Sequence, residues 1–228
     1  AGCGTGQQAI VTSTRFKSSQ VLAIDLSVSS LAYANRKTKE LGIENINYLQ
    51  ADILDLKELN QQFDIIECGG VLHHMDNPFL GWEVLRDCLK PGGLMKIGLY
   101  SELARQNIVT IKEELKKLEV GNSVAEMRSF RNTIIKSDKD HHKLVRKSAD
   151  FYSFSELRDL LFHTKEHRFT IPLIKGHLDK LGLMFCGFES NNIISNFKQT
   201  YTYSNDLYDL DKWHTYEQAN PRIFGGMY

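Results

Sequence analysis

Apolar residues cluster in short stretches through the first hundred positions, one of them, Val21–Ile24, unbroken. Beyond them the apolar positions recur at helical spacing. Val21-Leu22-Ala23-Ile24, Asn47–Gln50, Phe63-Asp64-Ile65-Ile66-Glu67-Cys68 and Leu94–Tyr100 read as strands, the first as one buried on both faces. Between them lie helical stretches: Ala9–Phe16, then a helix capped by Ser27 and closed by Gly42, then Phe79–Leu89. Lys90-Pro91-Gly92-Gly93 reads as a turn, because proline stops the helix and glycine permits a reversal. Strands alternating with helices predict an α/β fold with a parallel sheet. From Ser101 to about Arg168 no strand pattern survives. Ile108, Ile111, Leu115 and Leu118 fit one helix, Ser123–Ile135 a second, and Ser155–Phe162 a third with Ser155 as its N-cap. Pro172–Leu181 returns to an amphipathic helix, Leu183–Phe188 reads as a strand, and the tail as a further strand or a wrapping loop. The expected division is a cofactor-binding part over 1–100, a helical insertion or lid over 101–168, and a completion of the sheet with a tail over 169–228.

Composition narrows this picture. The 228 residues carry 28 Lys+Arg and 28 Asp+Glu, a formal net charge of zero. That balance argues against a nucleic-acid partner. No apolar run approaches the roughly 18 residues of a membrane span, so no membrane association is expected. Cys3, Cys68, Cys88 and Cys186 are scattered without a C-x-x-C pair, which suits reduced thiols in a cytoplasmic protein. Nothing in the pattern speaks to oligomeric state.

The candidate chemistry gathers at Ala1-Gly2-Cys3-Gly4-Thr5-Gly6-Gln7. Alternating glycines allow positive φ and close approach of a ligand to backbone N–H groups. A strand is expected to lead into such a loop, so a hydrophobic strand is expected upstream of Ala1. Without it, neighbouring strands are expected to expose their edges. Asp25 ends the Val21–Ile24 run about 20 positions after the loop, where an acidic side chain accepts from ribose hydroxyls.

Taken together, the glycine loop, Asp25, Ala51-Asp52, Val71-Leu72-His73-His74 and Leu89-Lys90-Pro91-Gly92-Gly93 resemble the class I S-adenosylmethionine-dependent methyltransferases in order and spacing. Asp150–Ser153, Arg158–His163, Glu166-His167-Arg168 and the tail from Trp213 to Tyr228 look like a narrower bacterial subgroup often joined to tetratricopeptide repeats. The resemblance implies a Rossmann-like sheet of seven strands in the order 3-2-1-4-5-7-6 with an antiparallel last strand. It implies S-adenosyl-L-methionine as cofactor. Gly2, Cys3, Gly4 and Gly6 are then expected at its methionine part, Asp25 and Leu26 at the ribose, and Asp52 and Ile53 at the adenine. Cys68 to Val71, with Gly69 and Val71 foremost, are expected along the methionine side.

The acceptor implied is a small molecule, or an exposed amine or hydroxyl on a protein or peptide. A hydroxyl or ammonium acceptor requires a base, and His74, after the strand at 63–68, is the candidate. His73, Tyr100, Tyr152, His163, His167 and Arg168 are candidate acceptor contacts, with Tyr100 and Tyr152 as an aromatic wall for a cation. Each has an ordinary structural reading beside this one: packing, or a bonded hydroxyl. His163 and His167 share a face if that stretch is helical, but no third ligand follows, so no metal is assigned. His141-His142, among Asp138, Lys139, Asp140 and Lys143, reads as a solvated turn. Two rival readings stand beside methyl transfer. One is a non-catalytic module of the same fold within a larger protein. The other is a nicotinamide-dependent dehydrogenase, disfavoured because Gln7 follows the loop and the Lys-Pro-Gly-Gly turn has no role there.

Overall fold

The computed structural model describes residues 1–163 and 165–228. The chain divides into two compact units. Ala1–Leu99 with Lys180–Gly182 form the first, and Tyr100–Asp179 with Leu183–Tyr228 the second.

The first unit is the alternating one. Helix α1 (Gln7–Arg15) leaves the glycine loop, and β1 (Val21–Asp25), α2 (Val28–Glu40) and β2 (Ile46–Gln50) follow. Then come β3 (Phe63–Gly69), α3 (Pro78–Asp87) and β4 (Leu89–Gly98). Ser27 caps α2 by accepting from the Ser30 amide at 3.2 Å, and Gly42 beyond its end sits at φ 65°, a conformation glycine adopts without strain. Asn77 caps α3 through the amides of Phe79 and Leu80, with Pro78 in the first turn where no amide is needed. Strands β1 and β2 pair in parallel from Val21↔Ile46 to Asp25↔Gln50; β3 and β4 pair in parallel from Phe63↔Leu89 to Gly69↔Gly98. Ala23, Ile24, Leu31, Ala34, Ile66 and Leu85 are buried here.

Two expectations change. The Lys-Pro-Gly-Gly stretch does not precede the strand but lies within β4, as a bulge between the pairs Phe63↔Leu89 and Ile65↔Leu94. Proline lacks an amide and Gly92 has φ 77°, so the ladder is interrupted there and resumes. The expected seven-stranded order is also not formed. Among the described residues there are four named strands in two parallel pairs. Strands β1 and β3 are not paired with each other. Ala1–Cys3 lies between their carboxyl ends: the Ala1 amino group donates to the Glu67 carbonyl at 2.6 Å and the Cys3 amide to the Ile24 carbonyl at 2.8 Å. Leu22, Ile24, Leu56, Ile65, Ile66 and Leu85 line a cavity of about 70 Å³ in this unit.

The second unit is helical. It holds α4 (Gln106–Lys117), α5 (Val124–Lys136), α6 (Asp140–Val145), α7 (Phe154–Leu157), all but the last two residues of α8 (Ile171–Leu181), α9 (Asn191–Thr200) and α10 (Leu210–Ala219). Ser123 and Glu126 form a reciprocal cap at the start of α5. Helix α7 begins after Ser153 rather than Ser155, with no side-chain capping bond from Ser153, and runs on as a wider π turn over Arg158–Phe162. One core gathers Ile108, Ile111, Leu115, Phe130, Ile134 and Phe151. A second gathers Ile171, Phe197, Trp213, Tyr216 and Phe224, with Phe197 stacked on Trp213 at 3.7 Å between centroids. The expected strand over Leu183–Phe188 is irregular chain. Phe185 and Phe188 turn into the aromatic core, and Gly187, at φ 118°, breaks the extended backbone. The tail is two helices rather than a strand or a loop.

Candidate functional site

The glycine loop closes on itself through the Gly6 amide, which donates to the Cys3 carbonyl at 2.9 Å. Gly2, Gly4 and Gly6 have φ of 68°, 52° and 84°. Gly2 is pressed against the Val71 side chain, which a Cβ would overlap. A Cβ on Gly6 would stand 2.7 Å from that of Ala34 on α2. At Gly4 a Cβ would meet nothing within 4 Å, so that backbone faces open space. Helix α1 then begins at Gln7 with no side chain capping it, which leaves first-turn amides for a negatively charged ligand group.

Asp25 is held at the same place. Its Oδ2 accepts from the Gly4 amide at 2.7 Å and its Oδ1 from the Ser27 amide at 2.9 Å. Each carboxylate oxygen can accept a second hydrogen bond, so the aspartate fastens the loop and keeps capacity for hydroxyl donors. The Ala51 amide donates to the Asp25 carbonyl at 3.3 Å, and Gln50 Nε2 donates to the Leu26 carbonyl at 3.2 Å. These bonds bring the ends of β1 and β2 together. Asp52 Oδ1 accepts from the Leu54 amide at 2.9 Å, capping a 3-10 turn over Ile53–Leu59. Leu26 is exposed, Ile53 is buried, and Gly69 is exposed at the end of β3. Burial pushes the Cys68 thiol up to about 11, and burial, then the Asp25 charge, raises the Cys3 thiol. Both therefore stay protonated at neutral pH and act as small apolar groups.

His73 and His74 follow in a 3-10 turn over Leu72–His74, where the His74 amide donates to the Val71 carbonyl at 2.9 Å. Their rings meet edge to face at 4.2 Å. His73 is buried and His74 half-buried, so His74 is the more accessible imidazole of the two. The structure thus brings Gly2, Cys3, Gly4, Gly6, Asp25 and Val71 into one loop assembly, with Leu26, Asp52 and Ile53 at the adjoining strand ends.

The remaining candidates lie in the second unit. Tyr100 is stacked under the Arg105 guanidinium at 3.7 Å, and burial raises its phenol. Its ring is thus already engaged with a cation of the chain itself. Tyr152 is exposed and meets Phe151 edge to face at 5.2 Å. The expected shared face of His163 and His167 is not formed. The π turn ends at Phe162 and neither histidine lies in a helix. His163 Nδ1 is 2.7 Å from the Lys165 carbonyl, and Arg168 Nε donates to Glu102 at 3.0 Å. Three functional-looking groups were given no site role from the sequence. Glu166 is buried and accepts from Arg105 at 3.2 and 2.8 Å and from Lys112 at 2.9 Å. Burial alone would raise its carboxyl, but those two cations hold it below the usual carboxylate range. Glu217 is buried and accepts the Ser101 and Tyr228 hydroxyls at 2.5 and 2.6 Å. His142, expected in a solvated turn, is buried. The partners of Glu166 and Glu217 are mostly distant in sequence, so local pattern carries no signal for them.

Residues 1–93 match a methyltransferase domain family. An uncharacterized protein of Synechococcus is 28% identical over 98% of this chain and 57% of its own length. (S)-Coclaurine N-methyltransferase of Papaver somniferum is 33% identical over 41% of this chain and 26% of that enzyme. The structure of PKMT2 from Rickettsia typhi in complex with AdoHcy superposes with a TM-score of 0.66 at 21% identity, over 95% of this chain and 45% of that one. The chain thus spans little more than half the length of the cyanobacterial relative, and less of the others. With its glycine loop, parallel strands and helical additions, the chain has the Rossmann-like fold of the class I S-adenosylmethionine-dependent methyltransferases.

Proposed function

We propose that the protein binds S-adenosyl-L-methionine in its first unit and transfers the methyl group to a small-molecule or peptide acceptor. The observation that carries this reading is the open backbone at Gly4, fastened from behind by Asp25. Gly2 and Gly6 need their glycines for packing; Gly4 needs only its φ, and the space before it is what a ligand requires. The residues therefore fit the cofactor. When bound, it supplies a sulfonium-activated methyl group. The chain's part is to bind, orient and exclude water. Gly2, Cys3, Gly4 and Gly6 form the wall along the methionine part. Asp25 and Leu26 serve the ribose, Asp52 and Ile53 the adenine, and Gly69 and Val71 close the methionine side. His74 takes the proton that the acceptor sheds at its nucleophilic atom.

Residues 101–168 are read as the helical insertion that selects the acceptor, with His73, Tyr100, Tyr152, His163, His167 and Arg168 as the side chains to test. The narrower bacterial subgroup with tetratricopeptide neighbours belongs to this proposal. Its basis is the resemblance of Asp150–Ser153, Arg158–His163, Glu166-His167-Arg168 and the tail; the Synechococcus protein is similar over nearly the whole chain and carries no statement about repeats. Four unbridged cysteines fit a reducing, cytoplasmic setting. No described helix is long and apolar enough to cross a membrane.

Calorimetry with S-adenosylhomocysteine and with NAD tests the binding part. Saturable binding of the first without the second supports it; binding of NAD alone would overturn it. Turnover of a candidate acceptor by His74→Ala at the wild-type rate, with unchanged cofactor affinity, removes His74 from the chemistry.

A further inference from the structure

Helices α4 and α6 of the second unit meet at a polar cluster that the proposed methyl transfer does not use. Glu114 projects from α4 between the buried Ile111 and Leu115, and His141 and His142 come from the first turn of α6. Both imidazoles reach the one carboxylate. His141 Nε2 is 3.0 Å from Oε1 and His142 Nε2 is 2.8 Å from Oε2. One ligand atom from each of the three residues lies within 4.8 Å of the others. The His142 side chain is 3% exposed, against 24% for His141 and 20% for Glu114. The site is therefore backed by core and open on one side.

Two imidazole nitrogens and a carboxylate form a donor set suited to zinc, which takes nitrogen and oxygen donors at about 2.0–2.1 Å in tetrahedral array. Bonds of that length hold neighbouring donors roughly 3.3 Å apart. The two imidazole–carboxylate spacings, 3.0 and 2.8 Å, differ from this by a few tenths of an ångström, and the three ligand atoms together lie within 4.8 Å, so side-chain rotation has to draw them onto the ion. We propose that Glu114, His141 and His142 are a zinc-binding site, with water as the fourth ligand, that clips α6 to α4. An ion joining a side chain of α4 to two of α6 holds the helical unit together.

A hydrogen-bonded clasp of the same side chains is the rival account. It leaves His142 Nδ1 buried without a partner. Zinc on Nε2 leaves the same atom unpaired, so this defect does not choose between the two. Lys139 is the group opposed to an ion, with Nζ 2.7 Å from Glu114 Oε1. Its side chain is 56% exposed and can turn to water, where such a pair contributes little. Asp140 and Lys143 share α6, with Lys143 turned to Asp138 at 3.6 Å.

The experiment is a zinc titration of the protein by calorimetry, with thermal unfolding followed in parallel. His141→Ala is the diagnostic variant because His141 is partly exposed and its loss does not open the core. Glu114→Gln is the second. The proposal expects one equivalent of zinc bound by the wild type, a rise in unfolding temperature with zinc, and affinity weakened at least about tenfold in each variant. Absence of zinc binding by the wild type overturns it. Binding of equal affinity in wild type and both variants also overturns it, because the ion then sits elsewhere.

Discussion

Gly2, Gly4 and Gly6 share a sign of φ and differ in what surrounds them. An alanine at Gly6 meets Ala34 as well as an unfavourable φ. Gly6→Ala is therefore expected to destabilise the first unit by about 1–3 kcal/mol through overpacking, plus about 1–2 kcal/mol for the left-handed conformation. Gly4→Ala carries only the second of these, and its methyl projects into the space proposed for the cofactor. Urea unfolding should separate the two variants, with Gly6→Ala the less stable. S-Adenosylhomocysteine affinity should fall in Gly4→Ala by more than its loss of stability explains. Asp25→Ala removes the acceptor of the Gly4 and Ser27 amides and is expected to weaken binding by about 1–3 kcal/mol. Unchanged affinity would detach Asp25 from the site. The alternating glycines and Asp25 were legible in the sequence because their spacing is local. That Asp25 fastens Gly4, or that His142 is buried, was not, because each depends on what the fold brings from another element.

At the scale of elements, β1, β2 and β3 were located to within a residue or so, β1 by its continuous apolar run. The same rule failed at Leu183–Phe188. There the apolar side chains are claimed by Trp213 and Phe224, and Gly187 leaves the extended region. The tail was missed for the opposite reason. Helices α9 and α10 are ten residues each, and the core that Phe197, Trp213 and Tyr216 form, rather than propensity, sets them. Two buried carboxylates tie distant elements of this unit. Tyr228→Phe takes one hydroxyl from Glu217 and is expected to lower stability by about 1.5–3 kcal/mol, measured by urea unfolding. Glu166 has its carboxyl lowered in the folded state, so its contribution is present above the ordinary glutamate range near pH 4.3. It is lost as pH falls through the lowered value. Glu166→Gln should therefore be destabilised by several kcal/mol at neutral pH, of order 3–5 for a broken buried pair. Its stability should also change less with acid between about pH 5 and 3 than that of the wild type. Parallel acid limbs in the two proteins would contradict the assignment.

At the scale of the whole molecule, the chain holds two units of different character, and the family match falls on the first, over residues 1–93. The alternating part was readable because its motifs recur in fixed order along the chain. In the helical part only segments resembling a narrower bacterial subgroup were readable, and its long-range ion pairs leave no local trace. The central claim is that the glycine loop and Asp25 form a cofactor site. Isothermal titration of the full-length protein with S-adenosylhomocysteine, alongside Asp25→Ala, tests it most directly. The account predicts one equivalent bound by the wild type and roughly tenfold or greater weakening in the variant, the equivalent of at least about 1.4 kcal/mol. No saturable binding by the wild type, or equal affinity in the two, would contradict it.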